Sequence, residues 1–288
     1  MRSRSISWLA LAAVAIVVGV LQHRVQAAPI VILADRNSEI YIDLGSSDGV
    51  FSWRVDGVSN LYQQWFWFRV GSAGPEAPVS DLYLADWYAT DGRRRDPRDD
   101  RVVAIYQDTP IGQNPNFEID IDLSLTGGLP GSRWSDLAET ISITNYSSQP
   151  LEFHFFQYVD FDLSGTLGGD TAWLPNANTA RQEGPYGSVS ETVVTPVPSR
   201  REVAEWADIL LKLTNADPDD LSGFVGPVTG DATWAFQWDV VLQPGSTFII
   251  SKDKHLVAAI PLPGSVWMGA VLLGAIAFFW FRRRRIAA

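Results

Sequence analysis

From Asn116 to Leu125 the chain alternates without a break. Phe117, Ile119, Ile121, Leu123 and Leu125 fall on one side of an extended backbone, and Glu118, Asp120, Asp122 and Ser124 fall on the other. A period of two puts one face in a core and the other in water, as in a half-buried antiparallel strand. Gly127-Gly128-Leu129-Pro130-Gly131 supplies the turn that ends it. Comparable segments bounded by Asn, Asp, Gly and Pro are 39–44, 50–55, 61–70, 82–90, 101–107, 139–145, 151–163, 189–195, 233–242 and 247–251. Short strands at this spacing, with no long linker, predict a mainly β chain. The expected architecture is one antiparallel β-sandwich domain over 28–258.

A single helix is predicted over 199–214. Ser199-Arg-Arg-Glu202 has the form of a capping box, and Val203, Trp206, Ala207, Leu210 and Leu211 then recur at helical spacing. Pro218, within the polar run 215–220, stops it.

Both ends depart from the sandwich pattern. Arg2 and Arg4 precede an apolar run from Trp8 to Leu21, and Val25-Gln26-Ala27 offers small residues at a cleavage position. Residues 1–27 therefore read as a secretory signal, cut by signal peptidase between Ala27 and Ala28. At the other end, Ile260-Pro261-Leu262-Pro263-Gly264 precedes an uncharged stretch from Val266 to Phe281, followed by Arg282, Arg283, Arg284 and Arg285. Those 16 uncharged residues make about 24 Å of helix, so a transmembrane helix is expected over 264–281. Trp267 and Trp280 mark its ends, and the arginines hold it on the cytoplasmic side. The domain between the two apolar segments is thus expected to be exported, with an inner-membrane precursor.

The order of proline motif, apolar stretch and basic block resembles the PEP-CTERM family of C-terminal sorting signals, in a Val-Pro-Leu-Pro-like variant. The resemblance covers 259–288 and implies recognition of Pro261, Leu262, Pro263 and Gly264 by an exosortase-type membrane protease. It also implies a cell-surface or matrix protein associated with exopolysaccharide or biofilm. Leu262 departs from the commoner Pro-Glu-Pro form. The segment from Asn145 to Leu151 resembles a hairpin of exported sandwich proteins that carry such tails; it implies no activity.

Charge narrows the partners. Of 22 basic residues, seven lie in the two terminal segments, while all 33 acidic residues lie between them. The central stretch is therefore more acidic than the whole-chain net charge of −11 indicates. Nucleic acid is excluded as a partner, since phosphate binding needs a basic footprint. With no cysteine, neither a disulfide framework nor a cysteine zinc site exists. Of three histidines only His154 and His255 lie in the domain, and no phosphate loop, nucleophile elbow or zinc-protease motif occurs. The expectation is a non-enzymatic protein with catalytic residues none, and a carbohydrate-binding module as the alternative.

Two constellations carry candidate chemistry. Asp160-x-Asp162-x-Ser164-Gly165 places oxygen donors at alternate positions before a glycine, as in the first half of a calcium loop. Thr171 stands where the bidentate glutamate would be, so a non-EF-hand calcium site at the strand end is expected from Asp160, Asp162 and Asp170, with Ser164 adding a neutral oxygen. The plain alternative is an acidic strand end facing water. For glycoside hydrolysis, a weaker reading, Asp160, Asp162 and Glu183 are the first carboxylates to consider. In 61–70, Trp65 and Trp67 alternate with Phe66 and Phe68. Those tryptophans form either a stacking platform for extracellular polysaccharide or the second face of a central strand.

Overall fold

The computed structural model describes residues 29–258 as two stacked sheets. The chain starts in sheet A with β1 (Ile30–Asp35), β2 (Ser38–Asp43), β3 (Gly49–Val55), β4 (Val58–Ser59), β5 (Gln63–Val70) and β6 (Ala77–Pro78). It then builds sheet B with β7 (Tyr83–Thr90), β8 (Arg101–Gln107), β9 (Phe117–Gly127) and β10 (Trp134–Asn145). It returns to A for β11 (Leu151–Asp160) and to B for β12 (Asp170–Asn176), β13 (Thr179–Gly184) and β14 (Gly187–Thr195). β15 (Arg200–Glu205) and β17 (Ala232–Leu242) complete A, while β16 (Val228–Gly230) and β18 (Thr247–Ala258) complete B. Sheet A runs β1-β2-β3-β5-β11-β17-β15, and sheet B runs β16-β12-β13-β14-β18-β10-β9-β8-β7. Pairing is antiparallel except where β3 meets β5.

The mainly β, two-sheet expectation holds. β9 alternates buried and half-buried over its whole length, so its five apolar side chains all point at sheet A. β5, β11 and β17 instead bury both faces. Their inner face meets sheet B; a helix, α1 (Trp206–Thr214), packs against β11, β15 and β17 on the other. Ile209 and Leu213 are the buried residues of α1, each worth about 1.5–3 kcal/mol of removed apolar surface.

The helix is shorter than predicted. Arg200–Glu205 is a strand paired with β17, so Ser199 and Glu202 form no capping box. Glu205 caps α1 without a side-chain hydrogen bond. The open edge of β17 offers a ladder of backbone partners, and that outweighs the local capping signal. The segment from Asn145 to Leu151 is likewise no hairpin, because it carries the chain from sheet B to sheet A. Asn145 shapes it by donating from Nδ2 to the carbonyls of Gln149 and Leu242, both at 2.9 Å.

Between the sheets lies a buried charged network that the sequence reading missed. Lys252 and Lys254 of β18 pair with Glu139 of β10 and reach Glu191 of β14 at 3.4 and 3.1 Å. All four side chains are fully buried. Sheet A completes the hydrogen bonding: Gln64 donates to Glu139 at 2.9 Å, and Gln157 and Trp234 donate to Glu191 at 2.7 and 2.8 Å. Burial favours the neutral acid, but the two lysines outweigh it and hold Glu139 well below the usual carboxylate range. Two cations against two anions make the cluster tolerable where a lone charge would not be.

The expected signal with its Ala27–Ala28 cut, the Pro261–Gly264 motif, the 264–281 helix and the Arg282–Arg285 block lie outside the described residues. Among the described residues no helix is long and apolar enough to cross a membrane.

Candidate ligand cleft

Three strand ends of sheet A converge at one rim. β11 ends at Asp160, and Asp162 follows before a short 3₁₀ turn over Leu163–Gly165. Asp231 sits in the single-residue gap between β16 and β17. Backbone hydrogen bonds fix the spacing. The Tyr62 N–H donates to the Asp160 carbonyl at 3.0 Å, and the Trp206 N–H donates to the Asp231 carbonyl at 2.8 Å. One oxygen from each of Asp160, Asp162 and Asp231 falls within 4.8 Å of the others. They floor a cleft of about 200 Å³ walled by Tyr62, Leu167 and Trp206. The two rings are 55 % and 44 % exposed, so their faces are open to a ligand.

Asp160 is the fixed member. It is 1 % exposed; Tyr158 shares its hydroxyl proton between Asp160 Oδ2 at 3.3 Å and the Trp206 carbonyl at 3.4 Å. Asp160 Oδ1 accepts nothing among the described residues. Burial, then Asp231 and Asp162, push the Asp160 carboxyl up to about 7. Burial, then Asp231 and Asp170, push Asp162 up to about 6. Asp231 is raised by burial and by Glu205. Like charges close together in a partly dry site favour the protonated acid.

The structure does not bring the three residues of the expected calcium trio together. Asp160 and Asp162 meet, but Asp231 takes the place of Asp170. Asp170 opens β12, which belongs to the other sheet, and its Oδ2 accepts from the Leu163 N–H at 3.3 Å and from Gln182 at 3.0 Å. Ser164 does not join either: its hydroxyl donates to the Tyr186 carbonyl at 2.8 Å and its N–H to Asn60 at 3.0 Å. Glu183 is exposed on β13 and does not line the cleft. Trp65 and Trp67 are both fully buried, which removes the platform and leaves the second-face reading. Trp67 packs edge-on against Tyr158 at 6.1 Å, and Trp65 sits against Tyr106. A Cβ at Gly49, where φ is +54°, would collide with the Trp65 ring.

Tyr62, Trp206 and Asp231 carried no local signal in the sequence. They lie 98, 46 and 71 residues from Asp160 and meet only through sheet pairing. Two other features of the surface differ from this cleft. A wider hollow of about 490 Å³ lies between β15, α1 and the 224–229 segment, but among the described residues its lining holds no buried polar side-chain atom without a partner. At the far end of β11, His154 pairs with Asp239 at 2.7 Å beside Asp220; there Arg69 and Arg200 hold Asp220 at 3.2 and 3.1 Å. That cluster is internally neutralised.

No family model matches the sequence, and no curated protein does. Solved structures do share its fold. A bacterial glucoamylase complexed with acarbose superposes with a TM-score of 0.58 at 6 % identity, over 81 % of this chain and 33 % of its own. The chain thus spans about a third of that glucoamylase. A galactose mutarotase related enzyme from Lactobacillus acidophilus gives 0.52 at 8 % identity, over 80 % of this chain and 98 % of its own. A protein from Synechocystis gives 0.51 at 11 % identity, covering 81 % and 97 %. At these identities the likeness shows a shared fold, two stacked and mostly antiparallel sheets. It overturns the expectation of a non-enzymatic surface or matrix protein: the first two are sugar enzymes, not sorting-signal proteins.

Proposed function

We propose that the protein recognises carbohydrate, with the Asp160–Asp162–Asp231 cleft holding the hydroxyls of one sugar unit. The observation that carries this is the pairing of open aromatic faces with carboxylates in a single cleft. Tyr62 and Trp206 offer surfaces for the apolar face of a ring, while the carboxyl oxygens accept hydrogen bonds from its hydroxyls. A cleft of about 200 Å³ is below the ~300–1,000 Å³ of drug-sized pockets, which suits a single unit such as a chain end. The fold shared with a mutarotase-related enzyme and a glucoamylase supports the same class of ligand.

Calorimetric titration of the purified protein with a panel of mono- and oligosaccharides tests the proposal. At least one sugar is expected to bind, and Trp206→Ala should weaken it about tenfold, a loss of ~1.4 kcal/mol. NMR of every sugar that binds, followed over time, reports whether it is also converted. A panel without any binder, or one bound equally by Trp206→Ala, overturns the assignment. Export of this domain is carried as a further proposal from residues 1–27 alone; an intact mass beginning at Ala28 in the native host supports it.

A further inference from the structure

Among the described residues the cleft carboxylates have no positive partner. The charges acting on them are all negative: Asp231 and Asp162 on Asp160, Asp231 and Asp170 on Asp162, and Glu205 on Asp231. In this they differ from the His154 cluster, which two arginines neutralise. An independent feature points to a missing ligand. Asp160 is 1 % exposed, yet its Oδ1 has no hydrogen-bond partner among the described residues while the residue lines the cleft. A buried acceptor left unmade is costly, and native sites usually resolve it with water or an ion.

We propose that Asp160, Asp162 and Asp231 bind calcium. A hard cation with oxygen ligands removes both the mutual repulsion and the orphaned oxygen. Carboxylate oxygens within 4.8 Å of one another can share one ion at bonds of about 2.3–2.6 Å. Magnesium demands a strict octahedron and sheds its water reluctantly, so an irregular set of carboxylates favours calcium. Asp160 is held by Tyr158, whereas Asp162 and Asp231 are only partly buried and free to adjust. Three carboxylates leave several coordination positions open on the solvent side. Sugar hydroxyls are neutral oxygen donors, so the bound ion would present itself to the ligand proposed above. This deepens the carbohydrate reading and shares its cleft, but the two fail separately.

Metal-free protein is titrated with calcium and with magnesium, and its melt is compared in chelator and in about 10 mM calcium. Calcium should bind with a Kd of ~10⁻⁴–10⁻³ M, as in extracellular modules, and raise the Tm by roughly 3–10 °C. Magnesium should match neither effect. Asp162→Asn should weaken calcium at least tenfold; should that variant not fold, Asp231→Asn gives the same readout. Terbium bound in the cleft should luminesce on excitation of Trp206, and Trp206→Phe should reduce that emission without lowering the ion affinity. Identical melts in chelator and calcium, or wild-type affinity in a folded variant, overturn the site. Calcium binding without any sugar response supports the metal site and removes the carbohydrate reading. Sugar binding with no calcium effect does the reverse.

Discussion

Trp67→Ala separates a core tryptophan from a ligand platform. The indole is fully buried on β5, lies edge-on to Tyr158 with planes at 88°, and stands across from Phe156 in the β11 register. Its Nε1 makes no hydrogen bond, so the substitution removes packing alone. Buried Trp→Ala changes cost about 3–5 kcal/mol, through lost transfer energy and an imperfectly closed cavity. For a domain of this size each kcal/mol moves the Tm by ~2–4 °C, so a fall of roughly 6–20 °C is expected. Trp206→Ala, with nearly half its surface in water, should move it by no more than about 2–4 °C. Urea unfolding followed by far-UV circular dichroism should show a lower midpoint for Trp67→Ala with an unchanged slope. Equal midpoints for Trp67→Ala and wild type, with sugar binding lost, would refute the core assignment.

Glu139→Gln should cost about 3–5 kcal/mol in a denaturant titration, because it leaves Lys252 and Lys254 with Glu191 as the sole buried anion. An unchanged midpoint would mean that the lysines shed their charge or reach water. Asp120 gives a pH signature. Burial, then Glu118, raises its pKa from 3.8 to about 6, so between those values the folded state holds the proton that the unfolded chain releases. Its contribution to stability is then lost as pH rises through about 4–6. Asp120→Asn should be more stable than wild type at pH 7, by on the order of 1 kcal/mol after allowing for solvent screening, and the gap should close near pH 4. A gap independent of pH would dissociate the effect from that carboxyl.

Strands whose polar and apolar residues alternate were legible in the sequence. β8 coincides with the predicted 101–107, and β9 and β17 differ only at their ends. β18 was cut short at 251 because Lys252 and Lys254 read as polar, although Ile250, Lys252, Lys254 and Leu256 keep the inward period. That continued alternation places both lysines in the core, where each requires a buried anion. β12, β13 and β15 carry weaker alternation and form because neighbouring edges need partners. The Asp160–Asp162 pair was visible as a local motif at a strand end. Asp231, Tyr62 and Trp206 were not, since only the sheet A pairing order brings them to that rim. Trp65 and Trp67, on the same face of β5 and alternating with Phe66 and Phe68, read as ambiguous between platform and core, because covering of that face depends on packing remote in sequence.

The indole N–H resonances of the uniformly ¹⁵N-labelled protein locate the ligand most directly. Each tryptophan gives one signal, assigned by single Trp→Phe substitutions, and the sugar panel is added stepwise with calcium present. The Trp206 signal should shift in a saturable way, while those of fully buried Trp53, Trp65 and Trp67 stay in place. A spectrum unmoved by every sugar, or a shift confined to the exposed Trp87 on β7, would contradict the assignment of carbohydrate recognition to the Asp160–Asp162–Asp231 cleft.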